Sequence, residues 1–288
     1  MGKETGNLPS LPRFAFIGAG RMASAMVGGL LARKAAAPAE IACVGGDDDT
    51  ARGLARRTGI TAHSDLAALL TTADTVVLAC KPQQLAGLDP RLADLTAGRL
   101  VISILAGKRL ARLAQTFPRT RNLVRAMPNT PGQIGAGITG WCALRPLDAA
   151  DRRLVDTVLG ALGPAIELEE KLLDAVTALS GSGPAFLFEF VAALREGGVA
   201  AGLPRDVAAQ LAQATVLGSA RLLAETKSEP EALRDQVTSP HGTTFAGLQR
   251  MAARAFATLS RRPSLPRRPV RRNCPRKTDP PHHPDGRE

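Results

Sequence analysis

Short apolar runs alternate with segments of helical periodicity through the first half of the chain. Four runs have the length and character of buried strands and a fifth is weaker: residues 14–17, 41–44, 75–79 and 100–104, then 123–124. Helical spacing follows the first run and is also found around residues 50–57, 66–70 and 110–115. Strands that alternate with helices predict a parallel, doubly wound sheet, with residues 137–144 as its last strand.

The second half is predicted to be almost wholly helical after Leu147. Helices are expected over residues 148–162, 183–201 and 204–225, and a last one near Gly242. Pro184 suits a first helical turn, where its missing N–H would be unpaired. The fold class is therefore α/β, with an N-terminal Rossmann-like doubly wound sheet followed by an all-helical domain. We divide the chain into a leader (1–13), a dinucleotide-binding domain (14–164), a helical substrate and dimerisation domain (165–250) and a tail (251–288).

Composition narrows the classes of protein that remain. The 288 residues suit two domains, and 44% are apolar. We find no uninterrupted apolar run of membrane length (about 18 residues) and no apolar core of a secretory signal, so neither is expected. The four cysteines are scattered and no metal-ligand spacing is present, which predicts a reducing, cytoplasmic location and no metal site.

The net charge of +11 belongs mostly to the C-terminal tail. Eleven Lys/Arg against three Asp/Glu from Arg250 onward give that segment +8, so the preceding residues are close to neutral. Arg and Pro dominate from Arg261, apolar periodicity vanishes, and we expect disorder there. Aromatic residues are only 3% of the chain, which argues against a base-stacking surface. A nucleic-acid partner is therefore not expected.

The first strand leads into a glycine-rich turn with the pattern G-x-G-x-x-A, from Gly18 to Ala23. The first glycine allows a tight turn, Gly20 lets the backbone approach a diphosphate, and Ala23 lets helix and strand pack closely. A helix start directly after the turn offers unpaired N–H groups to phosphates. In this strand–turn–helix context the motif predicts dinucleotide binding rather than a merely structural turn.

The end of the second strand bears on the choice between NADPH and NADH. Gly45 and Gly46 leave room for a 2′-phosphate, whereas the acids at 47–49 would repel one if they pointed inward. The same acids also suit a solvent-facing helix start. The sequence leaves the preference open.

Further loops fall at predicted strand ends and helix starts. The loops at 79–83, 103–107 and 127–131 follow strands, where the ligand crevice of an open α/β sheet lies. The hydroxyl- and glycine-rich segments 180–184 and 238–244 lead into helices and suit a carboxylate. For each segment, the alternative is an ordinary turn or a well-capped helix. His241 could be a general acid, but a single histidine in a loop more often has no catalytic role.

Taken together, these motifs resemble those of the pyrroline-5-carboxylate reductase family. The resemblance covers about residues 14–248. It rests on segments 16–20, 81–83, 127–131, 174–185 and 237–240, followed by Thr243 and Thr244. It implies a Rossmann domain joined to a helical domain that dimerises, and hydride transfer from NADPH or NADH to a cyclic imino acid, 1-pyrroline-5-carboxylate, giving L-proline. A homo-oligomer without a membrane partner is expected.

The resemblance also implies a set of site residues. The expected cofactor-binding residues are Ile17, Gly18, Ala19, Gly20, Arg21, Met22, Ala79, Cys80, Lys81, Pro82, Ile104, Leu105, Ala106, Asn129 and Glu170. The expected substrate-binding residues are Gln236, Ser239, Gly242, Thr243 and Thr244. Within that loop, the Thr244 hydroxyl is the catalytic group that contacts the ring nitrogen.

The chain departs from the family at several of these positions. Arg21 stands where the family has Asn or Gln, Leu66 where it has a ribose-binding Asn, and His241 where it has a glycine that favours positive φ. A long amphipathic helix is missing after Met251, and we hypothesise a reading-frame shift there. Two alternatives remain: a β-hydroxyacid-type dehydrogenase with Lys171 as its lysine, or an inactive relative whose basic tail binds a polyanion.

Overall fold

The sheet is the largest element of the fold. In a computed structural model of the chain, the described residues are 14–46, 48–71 and 73–253. Eight strands form one sheet: β1 (Phe14–Ile17), β2 (Ile41–Val44), β3 (Thr61–His63), β4 (Thr75–Leu78), β5 (Leu100–Ser103), β6 (Asn122–Met127), β7 (Thr139–Ala143) and β8 (Ala165–Glu167). Their order is β3-β2-β1-β4-β5-β6-β7-β8. All neighbours pair in parallel except β6 and β7, which are antiparallel.

Helices connect the strands and continue beyond them. They are α1 (Arg21–Ala32), α2 (Thr50–Thr58), α3 (Leu66–Leu70), α4 (Leu92–Leu95), α5 (Leu110–Thr116), α6 (Ala149–Gly160), α7 (Leu173–Val176), α8 (Gly183–Ala200), α9 (Arg205–Thr226), α10 (Pro230–Gln236) and α11 (Thr243–Ala253). The chain divides into two compact units, and the division falls between residues 228 and 229. The sheet and helices α1–α9 belong to the first unit, and α10 and α11 to the second.

Alternate residues of the central strands feed two separate apolar cores. Phe14 and Phe16 of β1 lie in one core, whereas Ala15 and Ile17 point into the other. Helices α1, α2 and α6 complete the first core, and α3, α4 and α5 complete the second. Both faces of the sheet are therefore covered by helices, which is why its strands read as continuous apolar runs rather than alternating ones. This confirms the predicted doubly wound α/β architecture.

Two strands correct the sequence prediction. The expected last strand, residues 137–144, forms as β7, but a further strand, β8, follows it in the half that was predicted to be almost wholly helical. The three-residue strand β3 was also not predicted. Both are too short for alternation of apolar and polar positions to be recognised. The domain boundary proposed between residues 164 and 165 stays a prediction.

The expected loop at 180–184 is helical. Residues 177–181 form a π-helical segment that joins α7 to α8. The hydroxyls of Ser180 and Ser182 donate to the carbonyls of Val176 and Thr177, at 3.0 and 3.2 Å. The segment therefore continues the helix from α7 toward α8 rather than forming a separate loop, and its use as a carboxylate site stays a prediction.

The tail prediction falls mostly outside the described residues. Met251–Ala253 continue α11, so these three residues are helical rather than part of a disordered tail. The disorder expected from Arg261 onward concerns residues that lie outside the described part of the chain.

Candidate active site

Gly18 occupies the point where the strand order of the sheet reverses. Its φ is +107°, a conformation that other residues rarely adopt. A Cβ at this position would lie 2.6 Å from the carbonyl carbon of Ala79 and 2.6 Å from the backbone nitrogen of Cys80. These are backbone atoms of the loop after the neighbouring strand β4 and cannot rotate away. The turn therefore requires glycine, as the motif predicted.

The first turn of α1 presents its backbone to open space. Gly20 precedes the helix in an extended conformation, and nothing lies within 4 Å of the position that its Cβ would take. No side chain caps this helix start and no acidic residue lies in its first turn. Ala23, the small third position of the motif, is fully buried against the sheet. An uncapped helix start beside an accessible glycine fits the diphosphate of a dinucleotide.

A cavity of about 690 Å³ adjoins this turn. It lies between the start of α1 and helix α2, and Gly20, Arg21, Thr50 and Gly53 are among its lining residues. Arginines outnumber acids in its wall, since Arg56 and Arg57 line it together with Asp49.

The acids after β2 take part in the start of α2. The Asp48 carboxylate accepts hydrogen bonds from the Thr50 hydroxyl and N–H, at 2.5 and 3.2 Å, and these bonds lower its pKa. Asp49 pairs with Arg52 and Arg56, at 2.6 Å each, and these partners lower its pKa. Both acids are exposed. The solvent-facing interpretation of these two acids agrees with this geometry, and residue 47 is outside the described residues.

The remaining predicted cofactor residues lie at or near the carboxyl ends of strands, apart from Glu170. Ala79, Cys80, Lys81 and Pro82 follow β4, Ile104, Leu105 and Ala106 follow β5, Asn129 follows β6, and Ile17 and Met22 flank the glycine turn. The Asn129 side-chain oxygen accepts a hydrogen bond from the Ile138 N–H at 2.9 Å, which fixes the turn between β6 and β7. The structure thus brings these loops to one edge of the sheet, and their contacts with a cofactor stay predictions.

A buried arginine lies beside this edge and was not predicted. Arg125 of β6 is only 4% exposed and pairs with Glu170 and Asp174, at 3.1 Å each. Glu170 also accepts a hydrogen bond from the Leu110 N–H, at 2.6 Å, and so caps α5. Glu170, expected near the nicotinamide, is thus bound within the protein. The signal in the sequence was a charged residue inside the apolar run of β6.

The predicted substrate loop lies in the second unit, between α10 and α11. Gln236 is the last residue of α10, and the Gly242 N–H donates to the Ser239 carbonyl at 3.0 Å. Thr243 and Thr244 form the first turn of α11, which contains no acidic residue. The turn therefore has backbone N–H groups and two hydroxyls with which to bind a carboxylate.

His241 has a positive φ of 61° in this loop. This agrees with the expectation that the position favours glycine, and the conformation strains a histidine. The ring stacks edge-to-face on Phe245, with centroids 6.2 Å apart.

Fold and site together define a dinucleotide-dependent oxidoreductase with a Rossmann domain and a helical C-terminal region. Two family models match: "NADP oxidoreductase coenzyme F420-dependent" over residues 13–107, and "Pyrroline-5-carboxylate reductase dimerisation" over residues 170–262. The pyrroline-5-carboxylate reductase of Synechocystis is 42% identical over 81% of this chain and 86% of that protein. The Escherichia coli enzyme is 34% identical over 85% and 91%. The chain belongs to the pyrroline-5-carboxylate reductase family.

Solved structures agree with this assignment. The Coxiella burnetii pyrroline-5-carboxylate reductase superimposes with a TM-score of 0.78 at 33% identity, covering 87% of this chain and 93% of that one. The Plasmodium falciparum enzyme, solved with NADP bound, gives 0.78 at 26% identity over the same shares. The expected activity is confirmed: the chain is an NAD(P)H-dependent oxidoreductase that reduces 1-pyrroline-5-carboxylate to L-proline.

The alternative activities are not favoured. Lys171, the candidate lysine of a β-hydroxyacid-type dehydrogenase, is exposed and pairs with Glu169 at 2.7 Å. Among the described residues no group of three or more His, Cys, Asp or Glu side chains is arranged to hold a metal ion. The tail, whose binding to a polyanion was the other alternative, lies outside the described residues from residue 254 onward.

The helical region exposes much of its apolar surface. The segment Glu170–Ala200 is long and apolar enough to cross a membrane, although the sequence suggested no such span. It falls inside the match to the dimerisation model, and Phe186, Phe188 and Leu211 are among the exposed side chains on α8 and α9. The match to the dimerisation model supports the predicted homo-oligomer.

Proposed function

We propose that this chain binds NADPH with its diphosphate on the first turn of α1 and its nicotinamide end toward the loops after β4 and β5. The observation that carries this proposal is the open, uncapped helix start after Gly20. Helix N–H groups that lack partners inside the helix stabilise a bound diphosphate. The loops that hold Lys81 and Leu105 lie at the same sheet edge as this turn.

We further propose that residues 239–244 bind the substrate. The carboxylate of the imino acid accepts hydrogen bonds from the N–H groups and hydroxyls at the start of α11. Thr243 and Thr244 supply the hydroxyls, and Gly242, whose N–H donates to the Ser239 carbonyl, forms the turn that precedes them. Ser239 and Gln236 border the same loop from its N-terminal side.

Positioning dominates the proposed mechanism. Bound NADPH supplies the hydride for the C=N carbon. A cyclic imine that is protonated on nitrogen is already electrophilic, so the protein needs no metal and no strong acid at this step. The Thr244 hydroxyl contacts the ring nitrogen. Its oxygen accepts a hydrogen bond from the N–H of the protonated imine, or the hydroxyl relays a proton from solvent to the nitrogen of the neutral imine, and either contact fixes the orientation of the ring. Holding reactants in this way lowers the barrier because their relative freedom is lost on binding rather than in the transition state.

We also propose that the surface of α8 and α9 is buried between subunits and that the enzyme works in the cytoplasm. The exposed Phe186, Phe188 and Leu211 support the first proposal. Cys43, Cys80 and Cys142 are free thiols in the structure, as a reducing compartment would keep them.

Substitution of Thr244 tests the role of its hydroxyl. We expect Thr244→Ala to lower kcat by about 10²-fold, the low end for a positioned proton donor, and Thr244→Ser to recover most of it. Thr226→Ala is the matched control, because Thr226 is an exposed threonine at the end of α9. Its hydroxyl donates to the Leu222 carbonyl and accepts from the Ser228 N–H, both backbone groups close to it in the chain. Wild-type kcat in Thr244→Ala would refute the assignment.

A further inference from the structure

The cavity beside the glycine turn carries two arginines that have no partner among the residues that the structure describes. Arg21 from α1 and Arg57 from α2 both line it. Within residues 14–46, 48–71 and 73–253, neither guanidinium makes a hydrogen bond or an ion pair with a described residue. Unpaired cations at the wall of a cavity favour an anionic ligand.

The guanidinium of Arg57 is held close to the cavity wall. Gly53 of α2 lines the cavity, and a Cβ at Gly53 would lie 3.4 Å from Arg57 Nη1 and 3.9 Å from Arg56 Nη2. Both side chains therefore fold back along α2, across a residue that has no side chain. This arrangement places the two positive groups beside Gly53 at the cavity wall, where both side chains stay exposed to solvent.

The carboxylate in the cavity wall is already occupied. Asp49 Oδ1 pairs with Arg52 Nε and Asp49 Oδ2 with Arg56 Nη2, so each oxygen has its own cation. An acid at this point of a Rossmann fold would bind the hydroxyls of the adenosine ribose, or repel a phosphate attached there. The two arginines that pair with Asp49 offset its repulsion of a phosphate, and they compete with ribose hydroxyls for its oxygens. The cavity is then left with the positive charge of Arg21 and Arg57.

We propose that Arg21 and Arg57 bind the 2′-phosphate that distinguishes NADPH from NADH. The Arg52–Asp49–Arg56 cluster keeps Asp49 from opposing that phosphate. This inference rests on the proposed function, because it assumes that the dinucleotide lies on the first turn of α1. Arg21 lies in that turn and Arg57 at the end of α2, so the phosphate would be held from both walls of the cavity. Guanidinium–phosphate pairs are among the stronger charge-assisted hydrogen bonds.

Two nucleotides that differ only in the 2′-phosphate test the proposal directly. Calorimetric titration of the full chain with adenosine 2′,5′-bisphosphate and with adenosine 5′-monophosphate measures binding without turnover. We expect Arg21→Gln and Arg57→Gln each to weaken binding of the bisphosphate by about tenfold, as loss of one charged hydrogen bond does. Binding of the monophosphate should not change. Arg153→Gln, a change in an exposed arginine of α6, is the control and should bind both nucleotides as the wild type does.

Asp49→Asn separates the two possible roles of the acid. We expect it to bind the bisphosphate at least as tightly as the wild type, and the monophosphate equally well, because Asp49 is already neutralised. A tenfold loss of monophosphate binding would instead show that Asp49 holds the ribose hydroxyls, and would overturn the proposal. The proposal also falls if Arg21→Gln and Arg57→Gln weaken both nucleotides equally, or neither.

Reductase activity of the wild type distinguishes this proposal from the proposed function. If the wild type makes proline with NADPH but its nucleotide binding does not respond to the arginine substitutions, only the phosphate assignment is wrong. If the wild type binds neither nucleotide and makes no proline, both are wrong.

Discussion

Replacing the two glycines of the turn by alanine should separate folding from cofactor binding. At Gly18 the new methyl group would lie 2.6 Å from two backbone atoms of the loop after β4, and the residue would keep φ near +107°. Positive φ costs a non-glycine residue about 1–2 kcal/mol, and overpacking costs about 1–3 kcal/mol more. We therefore expect Gly18→Ala to lower the free energy of unfolding by about 3 kcal/mol, a large part of typical domain stability.

Gly20→Ala should have the opposite profile. Its φ of −71° suits alanine and nothing lies within 4 Å of the new Cβ, so the free energy of unfolding should be unchanged or higher by up to about 1 kcal/mol. The methyl group would, however, occupy the space through which the diphosphate approaches the backbone. We expect the Kd for NADPH to rise by about tenfold or more, equivalent to about 1.4 kcal/mol.

Denaturant unfolding followed by circular dichroism measures the first effect, and fluorescence titration with NADPH measures the second. Wild-type stability in Gly18→Ala would show that the loop after β4 can move away, and would refute the packing argument. Wild-type NADPH affinity in Gly20→Ala would refute the assignment of this turn to the diphosphate.

Three other predictions follow from buried or strained groups. Burial raises the pKa of the Cys43 and Cys142 thiols to about 11. Both thiols should therefore stay protonated at pH 8 and resist iodoacetamide until the chain unfolds. Peptide mass spectrometry that finds either thiol labelled in the native protein would contradict this. Arg125→Met should lower the free energy of unfolding by about 2 kcal/mol in denaturant titrations, because the arginine bonds to two carboxylates, and unchanged stability would refute it. His241→Gly should lower the KM for the imino acid, and an unchanged KM would show that the histidine is tolerated. The free energy of unfolding should change by less than about 1 kcal/mol, because relief of the positive φ is offset by the greater freedom of glycine in the unfolded chain.

The sequence predicted those parts of the site in which the residue type itself determines the backbone conformation. Only glycine fits at position 18, and the neighbouring strands are buried on both faces. The glycine motif and the apolar runs therefore both indicated the strand–turn–helix unit that the structure contains. The positive φ at His241 likewise agrees with the glycine that the family has at this position.

Features that depend on distant contacts could not be predicted in the same way. Arg125 finds its carboxylates 45 and 49 residues away, and nothing local indicates that pairing. The pairing of Asp49 with Arg56 depends on how two side chains fold along α2. Segment 180–184 has the composition of a loop but is helical, since its hydroxyls bond back to the preceding turn.

The most direct test of the account is product analysis of the purified chain incubated with 1-pyrroline-5-carboxylate and NADPH. The account predicts L-proline in amounts equal to the NADPH consumed, and no NADPH consumption when the imino acid is omitted. NADPH binding without any proline formed, or proline formed without NADPH consumption, would contradict it.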